Sequence, residues 1–517
     1  MHRRDIIKTA ALLPLAALPG GLTSAFAATR TPVSAFNDSS VAAMARALAA
    51  KPFRPSASAL PAALANISYD QYRDYRYRAA RALWRDDGLK FQAQFFHRGF
   101  LFKDRVDVFT LADGHATPFA FSTDLFDYAP QPVPPLGGSG LGETAVGDVG
   151  FAGFRLHAPL NSDAYFDEIC TFLGASYFRA VAKGLSYGLS ARGLALGTGD
   201  PAPEEFPAFK AFWLQRPAKD GDAIVVHALL DGPSVAGAFR FRIKPGTESV
   251  FDVDARLYPR IALGHAGIAP LTSMYQFDAN DRVGIDDYRP AVHDSDGLAI
   301  FNGRGEQVWR PLHNPKTLQH SGFQDLQPRG FGLMQRKRAF ADYLDAEAGY
   351  EKRPSAWVEP LGDWGEGEVH LVELPTADEY HDNIVAFWRP KTALAAGREH
   401  RYRYRLHWCR EHAWLATLAT VTGTRLGAAP HARDARLVVI TFCGGRLDAL
   451  KADAVPRIEA SASSGALRNP VVQRVGDDGW RLSFELAAGD APAVELRARL
   501  VDDGGPLTET WLYRWTP

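Results

Sequence analysis

From Leu89 onward, hydrophobic and polar positions alternate along most of the chain with the period of half-buried β-strands. The clearest example lies between Ala238 and Tyr258, where two alternating runs flank the turn residues Lys244-Pro245-Gly246-Thr247. Many further short runs are separated by Gly, Pro and Asp, and few segments show helical spacing. The pattern therefore predicts an all-β protein whose larger part is an antiparallel β-sandwich.

One segment interrupts this alternation, between Asp163 and Lys183. Its apolar residues recur at helical spacing and Gly184 follows them: Phe166, Ile169, Cys170, Leu173 and Tyr177. The spacing predicts a helix over residues 163–183 that packs as a lid on a sheet.

A second unit is predicted at the C-terminus. The chain has 517 residues, more than one core usually supports, and residues 390–399 carry no strand pattern. Alternation resumes at Tyr402, and roughly seven short strands are typical of an immunoglobulin-like sandwich, although the usual Cys…Trp…Cys spacing is missing. We expect an N-terminal sandwich over residues 28–392, a linker over 393–400 and a C-terminal sandwich over 401–517.

The first 27 residues read as an export signal. Arg3 and Arg4 begin a twin-arginine motif, an apolar run follows, and Ala25-Phe26-Ala27 forms an A-x-A cleavage site. A permanent membrane anchor is the alternative, but the run is broken by prolines and is far shorter than the roughly 20 residues that span a bilayer. The signal predicts a mature chain that begins near Ala28 and is exported, already folded, to the periplasm.

Composition excludes several classes of function. The net charge of −1 argues against a nucleic-acid binder, which would carry a basic patch. The chain lacks the serine-hydrolase elbow, the P-loop, the H-E-x-x-H motif and a dinucleotide fingerprint. His293 and His381 each neighbour an Asp, but no third ligand is clustered with them, so neither a metal nor a cofactor is predicted.

The three cysteines lack C-x-x-C spacing. Cys409 and Cys443 both fall in strand-like runs, which leaves a disulfide open. Because the protein is expected to fold in the reducing cytoplasm before export, buried free thiols are favoured over that disulfide.

Carboxylates cluster in two loops. Asp378, Glu379 and Asp382 lie between two strand-like runs in a tryptophan-rich stretch, and Asp294 and Asp296 precede another strand. An inverting glycosidase needs an acid and a base about 6.5–9.5 Å apart on opposite sides of the scissile bond. Acids on two separate loops can meet that requirement across a cleft, whereas loop aspartates more often cap turns or pair with Arg.

Four motifs carry a resemblance to a known family: ISYDQYRDYRYR, HDSDGLAIFNGRGE, RPSAWVEPLGDWGEGEVHLVELPT and DEYHDNIVAFWRP. They resemble those of the periplasmic glucan biosynthesis proteins, the OpgG/OpgD (MdoG/MdoD) family, over essentially the whole mature chain. The twin-arginine signal is similar to that of the D branch. The resemblance implies a galactose-mutarotase-like sandwich, a linker, an immunoglobulin-like domain and a role in making osmoregulated periplasmic glucans, whose backbone is β-1,2-linked glucose.

The resemblance also implies roles for particular residues. Asp382 matches the general acid and Asp294 the general base of inverting β-1,2-glucanases and cyclising transglycosylases, and Glu379 belongs to the polar network around the acid. By neighbourhood, the expected sugar contacts are Tyr350, Arg353, Trp357, Trp364 and Tyr380. Two alternatives stay open, because Trp357 and Trp388 lie in alternating runs typical of core residues and Arg353 could pair with Glu359.

Two readings of function compete. One is an inverting hydrolase or transglycosylase acting on β-1,2-glucan, without cofactor; the other is a non-catalytic glucan-binding or assembly protein. A mutarotase acting on free sugars is a third, suggested by fold alone. Candidate protein partners are the inner-membrane glucan synthase and a second copy of the chain.

Overall fold

The structure is a computed structural model that describes residues 34–55, 60–131, 149–411, 418–451, 454–476 and 479–517. The predicted export signal lies outside these described residues. The helices within them are short: α1 (Ser40–Ala49), α2 (Ala62–Ala65), α3 (Tyr69–Asp74) and α4 (Gly445–Asp448). Strands dominate, so the predicted all-β class is confirmed.

The strands up to residue 409 are β1 (Ser34–Ala35), β2 (Arg76–Tyr77), β3 (Gln92–His97), β4 (Asp107–Ala112), β5 (His115–Pro118), β6 (Phe126–Asp127), β7 (Phe151–Ala158), β8 (Asp167–Leu173), β9 (Tyr177–Ala180), β10 (Ser190–Arg192), β11 (Ala195–Leu196), β12 (Ala208–Gln215), β13 (Ile224–Asp231), β14 (Val235–Lys244), β15 (Ser249–Pro259), β16 (Ala266–Ser273), β17 (Tyr275–Phe277), β18 (Val292–His293), β19 (Gly297–Phe301), β20 (Gln307–Pro311), β21 (Gln319–Leu326), β22 (Gly330–Met334), β23 (Ser355–Leu361), β24 (Glu366–Glu373), β25 (Ile384–Pro390) and β26 (His400–Cys409). Those that follow are β27 (Thr420–Ala429), β28 (Ala432–Cys443), β29 (Arg457–Ala462), β30 (Ala466–Arg474), β31 (Trp480–Ala487), β32 (Val494–Asp502), β33 (Gly505–Pro506) and β34 (Thr510–Trp515).

Two large sheets form the first sandwich. A 16-stranded sheet runs in the order β1-β5-β4-β12-β13-β14-β15-β26-β23-β22-β19-β20-β34-β32-β29, with β33 beside β32. A 10-stranded sheet runs β21-β24-β25-β16-β10-β9-β8-β7-β3, with β11 beside β16. Phe172 of the shorter sheet meets Phe212 and Phe241 of the longer one edge-to-face, with ring centroids 5.5 and 5.3 Å apart. The inward faces of both sheets therefore share one apolar core.

The last strands of the longer sheet form one layer of the second sandwich. The sheet β27-β28-β31-β30 packs against β34, β32 and β29, and Phe484 contacts Trp511 across this second core. β34 pairs in parallel with β20 through Val308↔Thr510 and Trp309↔Trp511. One hydrogen-bonded sheet thus passes through both sandwiches.

The structure differs from the predicted domain boundary. The strand His400–Cys409, expected to open the second sandwich, lies between β15 and β23 in the first. The expected linker is also anchored, because Leu394 is buried and exchanges backbone hydrogen bonds with Leu263. An alternating pattern identifies the two faces of a strand but not the sheet that accepts it, so sequence spacing misplaced this boundary.

The helix predicted over residues 163–183 is wrong, because this segment forms β8 and β9. β8 pairs with β7 through Leu156↔Cys170 and His157↔Glu168, which leaves Ile169 as an extra residue. This β-bulge buries Ile169 and Cys170 side by side. Two adjacent buried residues break the period of a strand and imitate helical spacing.

Candidate functional site

The two predicted acids lie on either side of one strand segment, β16–β17. On one side Asn383, next to Asp382, donates its backbone N–H to the Ser273 carbonyl. On the other side Asp294 donates its backbone N–H to the Met274 carbonyl, 2.8 Å away. The backbones that carry the two acids are therefore two strand spacings apart, about 10 Å.

Asp294 is held by a buried ion pair. Its Oδ1 lies 2.7 Å from Nη1 of Arg353, and both side chains are almost fully buried. Arg353 also donates to the Ala348 carbonyl and lies over the Tyr350 ring, 4.7 Å from its centroid. Glu359, the alternative partner of Arg353, instead pairs with Arg405 and His407.

Tyr350 places a protonated hydroxyl next to this pair. The side chain is fully buried, and its hydroxyl has no hydrogen-bond partner among the described residues. Burial raises the pKa of Tyr350 above its usual value; Arg353 opposes the rise, and the Asp294 and Glu379 carboxylates add to it. The hydroxyl is therefore a proton donor and acceptor within electrostatic reach of two candidate site carboxylates.

Glu379 is tied to two other loops through one guanidinium. Arg289 lies 2.7 Å from Glu379, 2.8 Å from Asp345 and 2.8 Å from Asp287. These hydrogen bonds, led by the one from Asp287, raise the pKa of Arg289. Beside Glu379, Tyr380 has about half of its side chain exposed, at 51%. The arrangement fixes the loop that carries Asp382 to the loops flanking Asp294.

Asp382 borders a cavity of about 400 Å³, within the range of small-molecule sites. Its walls are mainly apolar and come from β8, β9 and the loop before β12; they include Tyr177, Tyr187, Arg192, Glu204 and Phe206. Next to Tyr187, the backbone of Gly188 packs so closely on Arg353 that an added Cβ would lie 2.9 Å from the Arg353 Cβ. Gly188 therefore connects the cavity residue Tyr187 to the side chain of Arg353.

Arg192 organises the polar part of this cavity. Its guanidinium lies 2.6 Å from Glu204, donates to Thr272 Oγ1 at 2.8 Å, and covers the Tyr177 ring at 4.7 Å. Burial raises the pKa of Tyr177 to about 12. The Arg192 guanidinium opposes this rise, and the Asp382 carboxylate adds to it. The cavity thus presents aromatic faces beside fixed charges, an arrangement suited to a polyhydroxylated ligand.

Two of the predicted sugar contacts are not available to a ligand. Trp357 is fully buried in the core between the two sandwiches, and Trp364 is 5% exposed and donates its indole N–H to the Arg403 carbonyl. A buried ring offers no face for a sugar to stack on, so the structure contradicts both assignments. Trp388 is likewise a core residue.

Sequence reasoning missed the cavity wall of Tyr177, Arg192, Glu204 and Phe206. Tyr177 stood in the segment predicted as a helix, and Arg192 and Glu204 lie outside every motif that was singled out. The only sequence feature that could have indicated these residues is an Arg-Gly pair at 192–193 followed by two acids at 204–205. Nothing in that pattern predicts that they share a cavity with Asp382, because the fold alone places them there.

The cysteines Cys170, Cys409 and Cys443 are free thiols. In the described part of the chain, no group of three His, Cys, Asp or Glu residues is placed to hold a metal ion. Nor does any helix within the described ranges have the length and apolar character needed to cross a membrane.

Comparison with known proteins gives a match over nearly the whole chain. A family model described as "Periplasmic glucan biosynthesis protein, MdoG" matches residues 36–515. The "Glucans biosynthesis protein G" of Bradyrhizobium diazoefficiens is 49% identical over 518 residues and that of Rhodopseudomonas palustris CGA009 51% identical over 519, each covering 100% of both chains. The protein of the same name from Vibrio cholerae O395 is 48% identical over 487 residues, 93% of this chain and 87% of its own. These relatives carry the G name, and the match does not separate the G and D branches, so the D-branch assignment stays a prediction.

Proposed function

The chain belongs to the MdoG family of periplasmic glucan biosynthesis proteins, and on that premise we propose that it cleaves or transfers β-1,2-linked glucan with inversion. Asp382 is the proposed general acid and Asp294 the proposed general base. Family membership implies a periplasmic protein; export by the twin-arginine route stays a prediction.

The observation that carries the proposal is the placement of the two aspartates across β16–β17. With backbones about 10 Å apart, two carboxyl groups can lie within the roughly 6.5–9.5 Å that inversion requires. That separation leaves room for a water molecule or a sugar hydroxyl between the base and the anomeric carbon.

The surroundings of Asp294 support its role as base. A guanidinium 2.7 Å away favours the charged form of a carboxylate, the form that accepts a proton. The base activates the nucleophile, and Asp382 protonates the glycosidic oxygen from the cavity side. If water is the nucleophile, the glucan is hydrolysed. If the nucleophile is a hydroxyl at the end of the same glucan chain, the product is cyclic.

Tyr350 and Arg353 are proposed as buried residues that position Asp294, Glu379 as part of the polar network around Asp382, and Tyr380 as an exposed sugar contact. The Tyr350 hydroxyl supports this, because a fully buried hydroxyl with no hydrogen-bond partner among the described residues can hold a water molecule next to the Asp294–Arg353 pair. Phe206, 49% exposed, and the Tyr177 ring replace Trp357 and Trp364 as proposed stacking faces.

The test is to incubate the purified protein with linear β-1,2-glucan and follow chain length by mass spectrometry and anomeric form by NMR. We expect shortened chains carrying one added water per cleavage, or cyclic products without it, released with inverted configuration. Asp382→Asn and Asp294→Asn should each lower the rate by at least about a hundredfold, the usual contribution of general acid–base catalysis.

Asp222→Asn is the matched control. Asp222 pairs with Lys244 at 2.8 Å on an exposed hairpin away from the cavity, so the same chemical change there should leave the rate unaltered. Intact glucan at every pH, with glucan binding retained, would instead support the non-catalytic binding protein. Full activity in Asp382→Asn would refute the acid assignment.

A further inference from the structure

Three side chains and one carbonyl form a continuous hydrogen-bonded line beside the cavity. Glu368 Oε1 lies 2.7 Å from Nδ1 of His370. His370 Nε2 lies 3.0 Å from Nδ1 of His320, and His320 Nε2 lies 3.1 Å from the Gly199 carbonyl oxygen. We call Glu368, His370 and His320 the histidine chain.

The histidine chain ends on a wall of the cavity that holds Asp382. Gly199 and its neighbour Thr198 both line that cavity. Thr198 donates to Glu204 at 2.5 Å, and Glu204 is the carboxylate that pairs with Arg192. An added Cβ at Gly199 would lie 2.6 Å from the His320 ring, so the loop rests directly on this histidine. Whatever fixes His320 against Gly199 therefore fixes the polar side of the cavity.

Counting protons shows that the line is incomplete in its ordinary charge state. Three hydrogen bonds need three hydrogens, but an ionised Glu368 and two neutral imidazoles supply only two N–H groups. In that state one contact, either between the two rings or at Gly199, brings two lone pairs together. One additional proton, on either ring or on Glu368, completes all three bonds at once.

The charges around the histidine chain determine how readily it takes up this proton. Burial lowers the pKa of His370; Arg389, 3.9 Å from Glu368, and His320 lower it further, while Glu368 raises it. From β34, a strand of the longer sheet, Arg514 donates to the His320 carbonyl at 2.9 Å. On the loop itself, Asp200 lies 2.5 Å from the exposed His265. Burial and the nearby cations therefore oppose a second proton on His370, and the Glu368 carboxylate favours it.

We propose that uptake of one proton by the histidine chain fastens the loop of Gly197–Glu204 against the sheet, and that its loss loosens this wall of the cavity. Glu368, His370 and His320 are positioning residues in this scheme, because they act through Gly199 and do not reach the cavity themselves. The fastening does not depend on the proposed glucan chemistry; only its effect on sugar binding does.

Two substitutions separate this device from a merely structural role. In Glu368→Gln the side-chain amide supplies the missing hydrogen, so all three bonds form without an added proton. In His320→Phe the contact with Gly199 is lost in every protonation state. The first variant should imitate the acid form of the wild type, and the second its neutral form.

Hydrogen exchange of peptides covering residues 194–206 measures the outcome, with all proteins compared at the same pH so that intrinsic rates cancel. From pH 8 down to the lowest pH at which all variants stay folded, wild-type protection relative to His320→Phe should rise by about tenfold, the effect of one hydrogen bond. Glu368→Gln should be protected, and His320→Phe unprotected, throughout that range.

His265→Gln removes the other imidazole that contacts this loop, through Asp200 from just before β16, and should keep the wild-type response. Titration of ¹⁵N-labelled histidine by NMR should show the rings of His320 and His370 responding together to one proton. A Glu368→Gln protein that follows the wild-type pH response, or wild-type protection in His320→Phe, would overturn the proposal. Neither readout uses glucan, so both stand if the proposed activity fails.

Discussion

The buried ion pair of Arg353 and Asp294 should matter both for stability and for the proposed reaction. Neither side chain has much access to water, so each depends on the other for compensation of its charge. Breaking such a pair by removing one partner typically costs about 3–5 kcal/mol, because an uncompensated charge stays buried.

Arg353→Met should therefore lower the free energy of unfolding by about 3–5 kcal/mol and abolish glucan turnover, since Asp294 loses the cation that favours its charged form. Arg353→Lys keeps the charge but not the second hydrogen bond to Ala348. Its stability and its turnover should therefore lie between those of the wild type and those of Arg353→Met. Urea unfolding and initial rates measure both effects. Wild-type turnover in Arg353→Met would show that Asp294 does not work as a base.

Tyr350→Phe separates structure from function at a neighbouring position. Because the hydroxyl makes no hydrogen bond within the described residues, its removal should leave stability unchanged or slightly raised. If substrate or water is its partner, glucan turnover should fall by about tenfold or more, the effect of one hydrogen bond made in the transition state. Loss of stability in parallel with activity would contradict this assignment.

At the scale of residues, sequence motifs singled out the two aspartates and Arg353 as candidates but could not predict their contacts. Asp294 and Arg353 are 59 positions apart, and nothing in either motif says that they pair. Trp357 and Trp364 had the composition of a sugar platform, yet burial decides whether a ring is a platform, and burial depends on strands far away in the chain. The cavity residues Tyr177 and Arg192 belong to no motif and become visible only in the fold.

At the scale of elements, the Asn383 side chain ties the end of the loop of residues 374–383 to the sheet. The Asn383 amide accepts from the Tyr275 N–H at 2.8 Å and donates to the carbonyls of Tyr275 and Leu374 at 2.9 and 3.0 Å. These side-chain hydrogen bonds take the place of backbone hydrogen bonds between strands at the junction of β16 and β17. Asp382, the adjacent residue, takes its position from this anchor.

Asn383→Ala removes all three bonds and leaves the Tyr275 N–H unsatisfied, which should cost about 1–3 kcal/mol or more. Turnover should fall with it, because misplacement of a catalytic group by about 1 Å can cost a hundredfold. Asn383→Asp cannot donate to either carbonyl and should be at least as harmful. Retained activity in a destabilised Asn383→Ala protein would mean that the loop finds its position by other contacts.

The elements themselves show what alternation can and cannot predict. The hairpin of β14 and β15 follows its sequence pattern over residues 239–243 and 249–257, where buried and partly exposed residues alternate. β8 was misjudged because a bulge at Ile169 breaks that period, and bulges depend on the partner strand as much as on the strand itself.

At the scale of the whole molecule, buried histidines should make the fold sensitive to acid. Outside the histidine chain, burial lowers the pKa of His97, His157, His227 and His293 to about 4. Each therefore contributes stability that is fully present above its unfolded pKa of 6.5 and is lost as pH falls towards 4. Asp296 acts in the opposite direction, because burial raises its pKa to about 6 and its contribution is lost as pH rises through that value.

These five groups differ by a net of about three protons between the folded and unfolded states near pH 5, with the unfolded chain binding more. From these five groups alone, the free energy of unfolding should therefore fall by about 4 kcal/mol per pH unit on acidification there. Urea titrations between pH 4.5 and 7.5 measure this slope, and His293→Gln should reduce it by about 1.4 kcal/mol per pH unit. A flat profile would contradict the buried neutral state of these histidines.

The position of β26 between β15 and β23 also governs events while the chain is being made. β15 ends at Pro259, and the strand that covers its open edge begins only at His400. At about 5–20 residues per second, a ribosome needs roughly 10–30 s to deliver that partner. During this interval the nascent first sandwich carries a long unpaired edge, the kind of surface on which neighbouring chains aggregate. The charged residues Asp252, Asp254 and Arg256, which alternate along one face of β15, are well placed to discourage such pairing until the edge is covered.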